Sequence, residues 1–196
     1  MILSIVIPAR NEEASLPLVL NEIKQVLPLL PSATEVIVVN DRSTDQTAAV
    51  AQGYSFVKII NNVFNSGKGA ALRSGFEEAR GEYIVMMDAD FSHKAADLPD
   101  LFREVGRHRG LVVGSRISGG SEEYTRVRAF GNIVLTMFFG LVHRRYLSDA
   151  LNGFKIFHRD VYRNFEYTSD AFEIEIELLV NTLRLNRLIT EYPSHE

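Results

Sequence analysis

Two aspartates separated by one residue, Asp88 and Asp90, are the strongest chemical signal in this 196-residue sequence. They follow the apolar run Tyr83–Met87, which has the composition of a strand buried on both faces. Alternate residues at a strand end present both carboxylates toward a cation, and such hard oxygen ligands suit Mg²⁺ or Mn²⁺. The segment Asp88-Ala89-Asp90 therefore predicts a metal site that also takes diphosphate oxygens. A solvated turn is the alternative for a bare Asp-x-Asp.

Polar residues also follow the first two predicted strands. Strand one leads into Pro8-Ala9-Arg10-Asn11-Glu12, and strand two leads into Asn40–Asp45. In open α/β sheets, ligands bind outside the carboxyl ends of the strands. Acidic groups from three strand ends are therefore predicted to converge on one site.

The glycine-rich segment Asn65–Ala71 precedes a predicted helix. Its glycines permit close backbone approach, and Lys68 is placed to meet a nucleotide phosphate. The segment is not a Walker A motif, because Asn62 stands where the first glycine belongs and Gly69 follows the lysine in place of Ser or Thr. It imitates a dinucleotide fingerprint, but Leu72 replaces the third glycine. A lysine in solvent at a glycine-rich helix entry is the alternative.

The elements that must position these residues alternate along the chain. Short β-branched runs predict buried strands at Leu3–Ile7, Glu35–Asn40, Phe56–Ile60, Tyr83–Met87, Leu111–Gly114 and Phe154–Phe157. Intervening stretches predict helices at Glu12–Leu27 after the N-cap Asn11, Thr44–Gln52 with a capping box from Ser43 to Gln46, Lys68–Arg80, Asp97–Arg107 and Ala171–Leu185. Repeated strand–helix units predict an α/β fold with a doubly wound, mostly parallel, Rossmann-like sheet.

The composition narrows the class of protein. Hydrophobic residues make up 46% and charged residues 23%, which excludes a disordered, collagen-like or coiled-coil chain. The absence of cysteine excludes a disulfide scaffold, a zinc finger, an iron–sulfur site and a thiol nucleophile. The length fits one domain, 1–196.

The net charge of −4 is unevenly distributed. Residues 101–164 carry 11 basic against 5 acidic side chains, whereas both flanking parts are acidic. This basic part contains the apolar run Ala129–Val142, which is shorter than the roughly 17–25 residues of a spanning helix. We expect no transmembrane helix and no secretory signal, hence a cytoplasmic protein. Residues 126–145 predict peripheral membrane contact, with a basic face over a core helix as the alternative.

Seven motifs in order resemble family 2 of the nucleotide-sugar-dependent glycosyltransferases. The resemblance is closest to the branch of dolichol-phosphate mannose synthases and polyprenyl-phosphate sugar transferases. The motifs are IVIPARNEE (5–13), VIVVNDRSTDQT (36–47), NSGKGAALRSGF (65–76), GEYIVMMDADFSH (81–93), VVGSR (112–116), SDALNGFKIF (148–157) and FEIEIELL (172–179). They cover nearly the whole chain.

The resemblance implies a GT-A-like fold with a nucleotide-sugar half, 1–115, and a smaller irregular acceptor-side half, 116–196. It implies that the base and ribose of the nucleotide are held by Pro8, Ala9, Arg10, Asn11, Glu12 and Asp41. Lys68 matches a lysine near the nucleotide. Asp88 and Asp90, with Ala89 between them, match the aspartates that bind the diphosphate through Mg²⁺ or Mn²⁺.

The resemblance also implies the acceptor side. Arg116 matches an arginine near the transferred sugar or the acceptor phosphate, and Asp149 lies in a Ser-Asp turn that is a candidate for contacting sugar or acceptor. A polyprenyl phosphate is already ionised near neutral pH, so it attacks the anomeric carbon without a general base. Arg116, Arg126 and Arg128 are the candidates for clamping that phosphate. A sugar hydroxyl acceptor would instead require a base, for which Asp149 is the first candidate.

The resulting prediction is an inverting glycosyltransferase that moves a sugar from a GDP- or UDP-linked donor to a polyprenyl or dolichyl phosphate. Transfer to a saccharide or other soluble acceptor is one alternative, and a catalytically inactive nucleotide-binding subunit is another. No nucleic-acid partner is expected, and the oligomeric state stays open. Asn40 stands where many relatives have a second aspartate, Arg42 replaces a common glycine, and the sequence stops at Glu196 where relatives continue into a basic segment. The last departure puts the completeness of the acceptor site in doubt.

Overall fold

A computed structural model describes residues 3–62, 67–115, 140–141 and 147–195. These residues form a seven-stranded sheet covered by helices on both faces. The strands are β1 (Leu3–Ala9), β2 (Thr34–Asn40), β3 (Val57–Asn61), β4 (Tyr83–Met86), β5 (Leu111–Ser115), β6 (Lys155–His158) and β7 (Ile189–Pro193). The α-helices are α1 (Leu16–Val26), α2 (Thr47–Gln52), α3 (Lys68–Glu78), α4 (Leu98–His108), α5 (Asp160–Arg163) and α6 (Ile174–Arg184).

The strand order is β3-β2-β1-β4-β6-β5-β7. All neighbouring strands are parallel except at β6, which runs antiparallel to both β4 and β5. The predicted α/β, mostly parallel, doubly wound sheet is confirmed. Because β1 lies between β2 and β4, the chain changes direction across the sheet at β1, and a crevice opens there at the carboxyl ends of the strands.

Two hydrophobic cores lie on opposite faces of the sheet, since successive strand residues point to opposite sides. On one face, Ile5 and Ile7 pack with α1, α2 and α4. On the other, Val6 packs with α3, α5 and α6. Both faces are covered by helices, which explains the continuous apolar strand sequences.

Three predicted helix starts are wrong. The helix predicted from Ala171 begins at Ile174, and in the other two cases the expected capping side chains bind other parts of the chain. Helix α1 begins at Leu16 and not at Glu12, since Asn11 has a φ of 56° and its Oδ1 accepts a hydrogen bond from the Thr44 N–H at 2.8 Å. Helix α2 begins at Thr47, and the capping box does not form. The Ser43 hydroxyl instead accepts from the Asn11 N–H at 3.1 Å.

Strand β7 and helix α5 were not predicted from the sequence. Strand β7 pairs in parallel with β5 and widens the sheet beyond the predicted strands. No helix within the described ranges combines the length and apolarity needed to cross a bilayer. The apolar run 129–142 and the proposed membrane-contact region 126–145 lie outside the described residues except for Gly140 and Leu141.

Candidate active site

A cleft of about 420 Å³ opens at the carboxyl ends of β1, β2 and β4. Its walls come from all three predicted strand ends, from the start of α3 and from the chain before α6. The lining residues are Pro8, Ala9, Arg10, Glu12, Asp41, Gly67, Lys68, Ala71, Asp88, Ala89, Asp90, Ala171 and Phe172. The structure therefore brings together nearly all the residues predicted for the nucleotide and metal sites.

Two of the predicted residues do not line the cleft, and three others are not among the residues that the structure describes. Asn11 is not part of the cleft lining, because its side chain ties the loop after β1 to the loop after β2. Asp149 is fully buried, accepts a hydrogen bond from Asn152 Nδ2 at 3.1 Å and does not line the cleft. Arg116, Arg126 and Arg128 lie outside the described residues.

Asp41 is held in place at the end of β2. Its Oδ2 accepts from the Gly67 N–H at 2.9 Å, and its Oδ1 accepts from Asn62 Nδ2 at 3.1 Å. The side chain is nearly buried, so these donors compensate for the lost hydration of the carboxylate. Asp41 thereby fixes Gly67, directly before α3, against the sheet.

The two sequence departures at this strand end serve local structure. Asn40 donates from Nδ2 to Asn61 Oδ1 at 2.9 Å, and its Oδ1 accepts from the Ser43 N–H at 3.1 Å. Arg42 has a φ of 59°, the left-handed region in which glycine is least strained.

Lys68 lies in the cleft floor between two carboxylates. Its Nζ is 2.7 Å from Asp88 Oδ1 and 2.9 Å from Glu175 Oε1. Burial alone would lower the pKa of this lysine, but the attraction of the two carboxylates outweighs burial and raises the pKa well above its usual range. Lys68 is therefore a permanent cation, and the alternative of a lysine side chain in solvent is excluded.

Asp88 and Asp90 occupy unequal positions. Asp88 is partly buried at the cleft, and although burial would raise its pKa, Lys68 and then His93 hold the pKa well below its usual range. Asp90 is exposed at the cleft, and its Oδ1 accepts from the N–H and the hydroxyl of Ser92 at 3.0 and 2.6 Å. Asp88 is thus already neutralised by the protein, whereas Asp90 presents its charge to the cleft.

Gly153 and His93 pack against the Asp88 carboxylate from two sides. A Cβ added to Gly153 would lie 2.2 Å from Asp88 Oδ2 and 2.9 Å from Lys68 Nζ, so any larger residue there would displace these side chains. His93 is fully buried, stacks on Phe154, and places Nε2 3.5 Å from Asp88 Oδ2. Within the described part of the chain, neither ring nitrogen of His93 has a hydrogen-bond partner. Asp88 is therefore confined to one orientation.

Gly67 and Gly69, at the start of α3, allow a close approach of the chain to itself. A Cβ on Gly67 would lie 2.2 Å from the Asp170 carbonyl oxygen, and Gly67 has a φ of 131°. The N–H groups of Gly69 and Ala70 donate to that same carbonyl at 3.0 and 3.3 Å. These contacts fix the segment before α6 beside the cleft.

Three buried residues around this site, His93, Lys155 and Glu175, were not predicted as site residues from the sequence. Lys155 is fully buried in β6, and its Nζ donates to the Asn152 carbonyl oxygen. Burial is the largest effect and lowers the pKa of Lys155 to about 8, although Glu175 opposes the shift. The sequence around Lys155, shortly after Asn152-Gly153, does not predict that this lysine is buried, because its burial depends on the insertion of β6 between β4 and β5.

Replacing Lys155 with methionine is expected to stabilise the protein at pH 7 by up to roughly 3 kcal/mol, since burial lowers the pKa of Lys155 from 10.5 to about 8 and one pKa unit corresponds to about 1.4 kcal/mol. Between pH 8 and 10.5, Lys155 is protonated in the unfolded chain but largely deprotonated in the folded protein. The free energy of unfolding of the wild type therefore rises with pH over this range. The gap between variant and wild type should close over that window, as measured by urea unfolding. A variant less stable than wild type at pH 7 would contradict this reading.

The residues present fit a divalent cation shared with a ligand. No group of three or more acidic or histidine side chains with metal-binding geometry occurs in the described ranges, so these residues do not form a complete protein cage. Mg²⁺ is commonly held by one or two carboxylates together with substrate phosphates. The exposed carboxylate of Asp90, backed by Asp88, matches that donor set.

Comparison with known proteins identifies the family. Residues 4–165 match the sequence profile described as Glycosyl transferase family 2. A dolichyl-phosphate beta-glucosyltransferase from Trichomonas vaginalis is 31% identical over 97% of this chain and 64% of the relative. A dolichol-phosphate mannosyltransferase from Pyrococcus furiosus is 31% identical over 92% of this chain and 53% of the relative. The chain thus spans roughly half to two thirds of the length of these relatives.

Solved structures agree in fold. Glucosyl-3-phosphoglycerate synthase from Mycobacterium tuberculosis, in complex with phosphoglyceric acid, superposes with a TM-score of 0.78 at 23% identity. The likeness covers 96% of this chain and 69% of that one. The same enzyme in complex with Mn²⁺, uridine-diphosphate and phosphoglyceric acid gives a TM-score of 0.78 at 24% identity. The fold is therefore the GT-A glycosyltransferase fold, and the chain belongs to glycosyl transferase family 2.

Proposed function

We propose that this protein transfers a hexose from a GDP- or UDP-linked donor to a polyprenyl or dolichyl phosphate, with inversion at the anomeric carbon. The observation that carries the proposal is the cleft at the carboxyl ends of β1, β2 and β4, where Asp41, Lys68 and Asp90 face one volume. The acceptor class is supported by the relatives named for dolichyl-phosphate transfer.

The nucleotide is proposed to bind along the loops after β1 and β2. Pro8, Ala9, Arg10 and Glu12 line one wall, and Asp41 lies at its base, so the base and ribose have both backbone and carboxylate partners there. Asn11 contributes by holding the two loops together. The diphosphate then reaches the end of β4, close to Lys68 and Ala89.

Asp90, with Asp88 behind it, is proposed to hold Mg²⁺ or Mn²⁺. When bound, the metal neutralises the charge that develops on the departing nucleoside diphosphate. Lys68 holds Asp88 in position and adds a fixed positive charge to the floor of the diphosphate site. The chain's own contribution is therefore electrostatic and positional, which suits departure of a polyanion.

An acceptor phosphate needs positive charge but no general base. Arg116, Arg126 and Arg128 are proposed to clamp it, because guanidinium groups match phosphate oxygens in geometry and charge. Asp149 is fully buried in the turn before β6, so we assign it the role of positioning that turn.

The test is a transfer assay with radiolabelled UDP-glucose and GDP-mannose, Mn²⁺ and a short polyprenyl phosphate. The proposal expects labelled sugar to enter the organic phase with one of the two donors. Transfer only to saccharides would overturn the acceptor assignment. Nucleotide binding with no transfer to any acceptor would indicate a nucleotide-binding subunit.

The basic and apolar region 126–145 is proposed to contact the cytoplasmic face of the membrane. The protein is then expected to float with anionic liposomes at low salt and to be released at high salt, because screening weakens attraction to lipid headgroups. Neutral phosphatidylcholine liposomes serve as the control. Absence from the anionic liposome fraction at low salt would remove this part of the proposal.

A further inference from the structure

Glu175 is a buried carboxylate in the first turn of α6. Its side chain is 2% exposed, and its Oε1 lies 2.9 Å from Lys68 Nζ. A carboxylate in the interior is costly unless it is paired. Packing does not require a polar group here, because α6 is already anchored by the fully buried Ile174, Leu178 and Leu179.

The contact joins parts of the chain that are far apart in sequence. Lys68 begins α3, Asp88 follows β4, and Glu175 comes from the last third of the chain. An ammonium group has three N–H donors, and two of them meet these carboxylates. Lys68 is therefore held from both sides and is not the exclusive partner of Asp88.

Lys68, Asp88 and Glu175 together carry one negative charge, and the buried Lys155, which Glu175 also attracts, adds a positive charge beside them. Without the negative charge of Glu175, the charge of this cluster becomes more positive by one. Removing that negative charge favours anions and disfavours cations in the adjacent cleft. Glu175 thus sets the charge that a nucleoside diphosphate and its cation meet, although it does not line the cleft.

We propose that Glu175 is a positioning residue of the donor site, which shares Lys68 with Asp88 and so preserves the negative charge that draws a divalent cation to the cleft. The inference rests on the proposed binding of a nucleoside diphosphate with a divalent metal. It adds a charged residue of the C-terminal third, acting through Lys68, to a cleft whose other charged residues come from the N-terminal strand ends and the start of α3.

The test compares Glu175→Gln with the wild type by calorimetric titration of UDP and GDP, each with and without Mn²⁺. Without metal, the variant is expected to bind the nucleotide more tightly than the wild type does. The factor by which Mn²⁺ increases nucleotide affinity is expected to be roughly three- to tenfold smaller in the variant. Glu173→Gln is the matched control, because Glu173 has the same charge next to the same helix but is exposed. It should leave both affinities unchanged.

A merely structural role would give a different result. If Glu175 only stabilised the fold, the substitution would lower the melting temperature and weaken nucleotide binding equally with and without Mn²⁺. That result would overturn the role proposed for Glu175 but not the proposed function. Glu175→Asp keeps the charge but withdraws it by one methylene, so its Mn²⁺ gain should fall by a smaller factor. An unchanged gain there would also overturn the inference, even if Glu175→Gln does not fold. No nucleotide binding by the wild type would overturn the proposed function as well.

Discussion

Replacing Lys68 with methionine is expected to destabilise the protein by about 3–5 kcal/mol and to abolish nucleotide binding. The substitution leaves Asp88 and Glu175 as two carboxylates without their shared cation. Because removal of one partner leaves uncompensated buried charge, the loss exceeds the net value of the ion pairs themselves. Urea unfolding measures the first effect, and calorimetry with UDP and GDP measures the second.

The stability loss should depend on pH in a defined way. The lowered pKa of Asp88 contributes stability above its ordinary value of 3.8, and this is lost as the pH falls through the folded-state pKa. The raised pKa of Lys68 contributes stability below 10.5, and this is lost as the pH rises through the folded-state pKa. The gap between wild type and variant is therefore largest between pH 4 and 10 and narrows in acid.

Lys58→Met is the control for this experiment. Lys58 pairs with Glu78 at 2.6 Å, but both side chains are exposed, so solvent screens the pair and little change is expected. Equal effects of the two substitutions would show that the Lys68 cluster has no special energetic role.

Replacing Asp90 with asparagine is expected to lower the rate of sugar transfer by at least about 100-fold while leaving stability unchanged. Asp90 is exposed, and asparagine keeps an oxygen for the bonds from Ser92. What is lost is the negative charge proposed to hold the cation. The measurement is the transfer rate over a series of Mn²⁺ concentrations, together with the melting temperature.

Two comparisons sharpen this prediction. Asp88→Asn should also lower the melting temperature, because Lys68 then loses one of its two carboxylates. Asp100→Asn removes a carboxylate on α4 that does not line the cleft, and it should leave transfer unchanged. Transfer by Asp90→Asn at the wild-type rate would remove Asp90 from the metal site.

Local sequence was sufficient to predict six of the seven strands and the place of the cleft. Buried parallel strands are continuous apolar runs, so β1, β2 and β4 were recognisable and Asp41 and Asp88 could be placed at their ends. Parallel strands direct their carboxyl ends to one edge of the sheet. The alternation of strands and helices along the sequence therefore predicted that the residues after these strands lie close together.

Contacts between distant segments could not be predicted in this way. Lys68 and Glu175 are 107 residues apart, and no local pattern marks either as the partner of the other. The same limit explains the wrong helix starts, since Asn11 has the composition of an N-cap but binds the loop after β2. The requirement for Gly153 likewise arises only when β6 pairs beside β4 and brings the glycine against Asp88.

The most direct test of the account is calorimetric titration of the protein with UDP and GDP, with and without Mn²⁺, repeated with Asp90→Asn. The account predicts that one nucleotide binds more tightly with Mn²⁺ and that this gain disappears in the variant, because Asp90 presents its charge to the cleft. Binding of neither nucleotide, or a Mn²⁺ gain that persists in Asp90→Asn, would contradict it.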